Sequence, residues 1–338
     1  MLLKGVSPLS WGDAAAGSLY LTRDVTPAAD AHAEVIDELM RLDPRSGHVL
    51  AVRGLDSEFG RAILAAGSLW ITTTSRQQGT LLWRLDPRSL TLRSRIPLPS
   101  DRQATGLTGS LAVADGQLWV GSRTLNRVSL ASGSVDRVVK LPYPGPVQVA
   151  ADPSGRVLLA VLGYVHPTYL ARLNARTGAV EARVTVPWSV NQPSITGVID
   201  GGAWIYNSVG MARASWRIAL GTLKATRTHA LPIPDMQSFA GVINGILWVT
   251  EPLDAGTLTY CANPVTGQLR AQLPLLVGNS RFLTADRTSV LGFRAIRETD
   301  RRRGRCSSQR GSRAQPYSGS EGEAGSARLS PGKSSACS

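Results

Sequence analysis

The sequence predicts an all-β fold: a β-propeller of six to seven four-stranded blades, the last blade incomplete and followed by a disordered tail. Three observations predict it. A turn motif recurs six times, a glycine-led marker precedes each copy, and both keep one period.

The turn motif reads Arg-Leu-Asp-Pro-x-Ser/Thr-Gly. It stands as RLDPRSG at 41–47 and RLDPRSL at 84–90, then as RVSLASG (127–133), RLNARTG (172–178), RIALGTL (217–223) and CANPVTG (261–267). Its third position is Asp43, Asp86, Ser129, Asn174, Ala219 and Asn263, giving spacings of 43, 43, 45, 45 and 44 residues. The second marker is GSLY at 17–20, GSLW at 67–70, GQLW at 116–119, GRVLL at 155–159, GGAW at 201–204 and GILW at 245–248. A period of 43–45 residues is the size of one four-stranded propeller blade.

Each unit resolves into four short apolar runs with turn residues between them. In the third unit these are LTGSLAVADG, QLWVGSR, NRVSLASG and SVDRVVKLP. Asp115-Gly116 closes the first hairpin, because glycine adopts a positive φ at little cost. Ser132-Gly133 closes the third, where an Asp or Asn at the head of the motif bonds the turn backbone. Prolines 97, 99, 142, 187, 232 and 274 end the fourth strands. A residue without an N–H fits the end of an outermost strand, where no neighbour needs the donor.

Unit one carries a longer second-to-third strand loop, RDVTPAADAHAE (23–34). The following VIDELMRL reads as a strand in register, although AEVIDELM has helical propensity. Tyr20, Trp70, Trp119, Trp204 and Trp248 recur on the second strand in five of the six units, as packing between adjacent units requires. Unit six ends near Leu276, and SRFLTADRTSVLGF (280–293) starts a seventh without its turn motif. Residues 1–293 are therefore the propeller. Residues 294–338, rich in Ser, Gly and Arg and poor in large apolar residues, are expected to be disordered. The composition changes in mid-blade after Phe293, as a frameshift or gene fusion would leave it.

The formal charge is +13, of which the tail carries +6 from 10 Lys+Arg and 4 Asp+Glu, leaving +7 for the body. A basic body attracts anionic partners. Its basic residues form no stripe interleaved with aromatics, so a nucleic-acid partner is not expected. Three cysteines, two of them in the tail, imply no disulfide framework. No run approaches 18 apolar residues, so no membrane-spanning helix is expected. MLLKGVSPLSWGD makes a poor signal peptide, which leaves the cytoplasm as the default compartment.

Gly-x-Leu-Trp-Val (116–120) and Arg-Leu-Asp-Pro-Arg-Ser-Gly (41–47) resemble the propeller superfamily of pyrroloquinoline-quinone-like, YVTN and streptogramin-lyase-like repeats. The resemblance covers about residues 13–293. Quinone-binding members place a Trp four residues after the motif glycine, where this chain has Ala51, Ser94, Arg137, Ala182, Arg227 and Ala271. The resemblance therefore implies no quinone. The lyase branch implies a divalent metal and a histidine base on one face, for which His32, His166 and Glu251 fall in second-to-third strand loops by register.

The leading expectation is a non-catalytic binding or scaffold module without a cofactor, whose partner is a protein or a small anionic ligand. Its candidate residues are Arg76, Arg123, His166, Trp188 and Glu251, on the face of the second-to-third and inter-blade loops. A metal-dependent lyase or hydrolase is the alternative, and a truncated or frameshifted gene product without a selected function is the third reading.

Overall fold

In a computed structural model the described residues are 9–15, 18–25, 36–43, 48–75, 77–99, 109–141, 147–152, 154–162, 168–185, 193–199, 201–207, 215–227, 239–243, 246–253, 256–263, 266, 269–277, 282–285, 289–293 and 326–328. Among them the chain forms an all-β propeller built from seven antiparallel sheets.

Sheet one holds β1 (Leu9–Ala15), β2 (Ser18–Asp24), β3 (Asp37–Leu42) and β4 (Val49–Gly54). Sheet two holds β5 (Glu58–Ala65), β6 (Ser68–Ser75), β7 (Gly79–Leu85) and β8 (Leu92–Pro97). Sheet three holds β9 (Ser110–Ala114), β10 (Gln117–Gly121), β11 (Leu125–Val128) and β12 (Val135–Val139). Sheet four holds β13 (Val147–Ala151), β14 (Leu158–Leu162), β15 (Tyr169–Leu173) and β16 (Val180–Thr185). Sheet five holds β17 (Pro193–Ile199), β18 (Gly202–Asn207), β19 (Ser215–Ala219) and β20 (Ala225–Arg227). Sheet six holds β21 (Phe239–Ile243), β22 (Ile246–Leu253), β23 (Gly256–Ala262) and β24 (Leu269–Val277). Sheet seven holds β25 (Phe282–Ala285), β26 (Ser289–Phe293) and β27 (Ser326–Arg328).

Within each sheet the strands pair in chain order. The first strands face inward: β5 touches β9, β9 touches β13, β13 touches β17 and β17 touches β21, while β25 lies against both β21 and β1. The expected third-unit strands are β9 to β12. VIDELMRL supplies β3, so its register in the repeat outranks its helical propensity. From the tail, Ser326–Arg328 pairs with β26; residues 294–325 and 329–338 lie outside the described residues.

The core lies between sheets rather than inside a single one. Tyr20 and Leu39 pack with Ile71 and Trp83 between sheets one and two. Trp70 and Leu82 meet Leu118, Val120 and Val128 between two and three. Trp119 packs with Leu158, Ala160 and Ala171 between three and four, and Leu159 and Val161 with Ala203 and Ile218 between four and five. Successive side chains of one strand thus serve opposite neighbours. With both faces covered, β6 is buried along its whole length and its sequence does not alternate.

The two recurring markers are the halves of one inter-sheet joint. In sheets one to four the arginine that opens the turn motif reaches to the turn of the next sheet. Arg41 Nη1 donates to the Arg88 carbonyl at 2.5 Å, Arg84 Nη1 to Ala131 O at 3.1 Å and Arg172 Nη1 to Gly221 O at 2.9 Å. Arg127 Nη1 bonds the Arg176 carbonyl in the same way. Each guanidinium is steadied within its own sheet: Arg41 and Arg84 through Nε to Ser18 and Ser68, and Arg127 and Arg172 by Asp136 and Glu181. The third motif residue caps the turn. Asp86 Oδ1 accepts the N–H groups of Arg88 and Ser89 at 2.9 Å each, and Asn174 Oδ1 those of Arg176 and Thr177 at 3.1 and 2.9 Å.

The last motif residue meets the aromatic of the preceding sheet. A Cβ on Gly178 would stand 2.9 Å from Trp119 Cη2 and from Val139 Cγ2, and the Trp119 indole N–H donates to Ala175 O at 2.9 Å. Where the motif ends in leucine, the opposing side chain is smaller. Leu90 (φ 59°) is buried in one cluster with Tyr20, and Leu223 (φ 56°) in one with Leu159. A large residue faces glycine, and a smaller one faces leucine.

Candidate functional site

Up-and-down pairing puts the first-to-second and third-to-fourth turns on one face of the ring. The second-to-third loops and inter-sheet connections lie on the other. Of the candidates on the loop face, Arg123 is described in full. It is exposed between β10 and β11, in a loop pinned by Ser122 N to Thr124 O at 3.0 Å and by Val147 N to Ser122 O at 2.5 Å. Ser122 and Thr124 turn inward and leave Arg123 projecting.

Glu251 does not sit in a loop. It lies on β22 opposite Leu258 of β23, in a hairpin whose pairing runs on to Leu253 and Gly256. The second strand of sheet six runs to Leu253 and takes in the expected loop position. Arg76, His166, Trp188 and His32 lie outside the described residues. Among the described residues no group of three or more His, Cys, Asp or Glu is placed to hold a metal ion.

The turn face carries a cleft of about 990 Å³ between sheets three and four. Asp115 and Gly116 form one wall, and the motif turn of sheet four forms the other, with Arg156 and Arg172 beside it. Asp115 and Gly116 both take positive φ (49° and 67°), so a tight turn projects the carboxylate. Arg176 pairs with Asp115 at 3.4 Å yet keeps 80% of its side chain accessible, and Arg172 pairs with Glu181 at 3.3 Å. Exposed pairs of this kind are weak and exchange readily for an external partner.

Arg156, held through Nε to Ser154 Oγ at 3.3 Å, has no carboxylate within ion-pair reach among the described residues. The nearby Asp152 is committed to its own turn. Burial pushes its pKa up, but the Ser154 hydroxyl and the N–H groups of Val157, Ser154 and Arg156 outweigh that and hold it low. The cleft therefore presents three guanidiniums against the carboxylates of Asp115 and Glu181. Two members, Arg172 and Arg176, stand in the RLNARTG copy, which sequence reasoning used only as a structural turn. Arg156 lies within the GRVLL marker. Their convergence depends on two sheets meeting and is invisible in either segment.

Two more titratable groups lie on β5 near the ring axis. Burial raises the pKa of Glu58 and lowers that of Arg61. Both side chains are nevertheless accessible to solvent, because the innermost strand opens toward the axis while protein surrounds it. Both belong to the solvent-accessible axial side of β5.

No family model matches the chain and no curated protein matches it. Among solved structures, the crystal structure of BamB from Moraxella catarrhalis is similar over 84% of this chain and 79% of that one, at 14% identity and a TM-score of 0.48.

Proposed function

We propose that the chain is a non-catalytic binding module that recognises an anionic group, carried by a protein partner or by a small ligand. The cleft between sheets three and four carries this reading. It is open, lined by polar side chains and cationic in balance, and its ion pairs are exposed enough to be displaced. A carboxylate or phosphate entering it would replace Asp115 on Arg176 and meet Arg156 without having to displace a carboxylate. Guanidiniums suit that task because their planar donors engage oxyanions in pairs. Arg123 on the opposite loop face, and Trp188 assigned to that face by sequence register alone, belong to the same reading as a second set of contacts.

Calorimetric titration of the full chain with citrate tests it. Binding should weaken about tenfold in Arg156→Ala and Arg176→Ala, as loss of one charge-assisted contact implies. If both variants titrate like the parent chain, the cleft is not the site. If Arg123→Ala and Trp188→Ala also leave binding unchanged, the loop-face contacts fall as well.

A further inference from the structure

The outer rim of sheet one differs from its neighbours in a way that neither the fold nor the cleft accounts for. β4 is a terminal strand, with no further strand hydrogen-bonded to its outer side among the described residues. Val49, Leu50 and Val52 are 48%, 48% and 46% exposed, three of the five large apolar side chains most open to solvent among the described residues. Register fixes the comparison: Ala51 pairs with Arg41 as Ser94 does with Arg84, Arg137 with Arg127 and Ala182 with Arg172. Leu50 and Val52 therefore correspond to Arg93 and Arg95 on β8, to Asp136 and Val138 on β12, and to Glu181 and Arg183 on β16. Charge on an edge strand discourages pairing with another chain. β8 and β16 carry it at both positions and β12 at one, whereas β4 carries it at neither.

Beside this edge lies an unbalanced pair of cations. Arg53 from β4 and Arg95 from β8 converge on the Trp83 ring, 5.7 and 4.7 Å from its centroid. Arg95 also bonds Gln78 Oε1 at 2.6 Å. Neither guanidinium has a carboxylate within 4 Å among the described residues. Two like charges over one ring, next to an apolar open edge, complement an incoming strand that is apolar along its length and acidic at its flank.

We propose that β4 is the docking edge for an extended segment of a partner protein, which adds as a fifth strand to sheet one. Its apolar side chains would cover Leu50 and Val52, and a carboxylate would sit between Arg53 and Arg95. Main-chain bonds to an open edge supply the affinity in this mode, and alternate side chains supply the choice of partner. A second copy of the rigid ring is the poorer occupant. Six residues give an edge of about 20 Å, and two convex rims meeting along it bury well under the roughly 1,200 Å² of a stable assembly. This surface is on the rim and independent of the turn-face cleft.

The test uses the full chain and a short fluorescent peptide of alternating valine and threonine with aspartate at both ends, against the same peptide ended with lysine. The aspartate peptide should bind in an anisotropy titration, and the lysine peptide about tenfold more weakly or worse. The Leu50→Lys, Val52→Lys double variant gives β4 the charge its neighbours carry and should abolish binding while the unfolding transition is kept. Arg53→Ala with Arg95→Ala should bring the two peptides to equal affinity, an outcome that does not depend on the lysine variant folding. Binding that survives the lysine substitutions, equal affinity of the two peptides for the parent chain, or no binding of either would overturn the proposal. Concentration-dependent self-association removed by the lysine substitutions would also overturn it, by placing a second copy on the edge.

Discussion

Residue size is matched across the joints between sheets, and the match can be tested one side chain at a time. Gly178 has φ 73° and lies under Trp119. Gly178→Leu adds an overpacking cost of about 1–3 kcal/mol to a left-handed strain of about 1–2 kcal/mol. Urea unfolding should register most of that sum, and Trp119→Leu in the same chain should recover part of it. At the reciprocal joint, Leu90→Gly opens a cavity worth about 2–5 kcal/mol and relieves about 1–2 kcal/mol of strain, so a net loss is expected. Adding Tyr20→Trp to fill the space should reduce that loss, read as the coupling in a double-mutant cycle. Both markers were legible as repeats, because identical local jobs select identical residues. Their contact was not legible, since Trp119 and Gly178 belong to different copies, and the leucine that ends RLDPRSL is explained only by its packing in one cluster with Tyr20. Acid stability is the second test at this scale. The N–H groups of Ser89 and Arg88, followed by the Arg93 guanidinium, hold the Asp86 carboxyl well below the ordinary carboxylate range. A depressed carboxylate contributes stability above its unfolded value, near pH 4, and loses it as pH falls toward the folded value. Asp86→Ala should flatten the acid limb of the stability profile below about pH 4. Glu58, raised by burial, acts with the opposite sign in both chains and cancels from the comparison.

At the scale of the element, the motif turn does three jobs with seven residues. It reverses the chain, offers carbonyls to the arginine of the sheet before it, and supplies the floor on which that sheet's aromatic rests. Arg127 shows why arginine is used. Its Nε is engaged by Asp136 at 2.8 Å while Nη1 holds the Arg176 carbonyl of the next sheet, a two-ended contact that a planar fork can make. Arg127→Ala should cost about 1–2 kcal/mol in urea unfolding, between a neutral and a charge-assisted hydrogen bond. Arg127→Lys should recover little of it, because an ammonium cannot span both partners. The candidate site was less legible than these elements. Register points to the second-to-third loops, and Arg123 does project there, but Glu251 lies within β22, whose reach to Leu253 has no sequence marker. The charged cleft forms where the first-to-second turn of sheet three meets the motif turn of sheet four, segments about sixty residues apart.

For the whole molecule, the placement of β25 against both β21 and β1 makes every sheet depend on two neighbours, and unfolding of the full chain should be one cooperative transition. A chain ending at Phe293 loses β27 and leaves β26 as a bare edge, so it should melt lower and aggregate more readily. Equal melting of the two chains would show that β27 contributes nothing to closure. The arginine contacts run one way round the ring, sheets one to four each gripping the next. The sixth copy of the motif opens with Cys261 instead of arginine, and sheet seven shows no third-to-fourth turn among the described residues to receive a grip. Gripper and handle are lost at the same joint. The circle therefore has a seam, and native-state hydrogen exchange should find the amides of β25 and β26 opening ahead of those in sheets two to four.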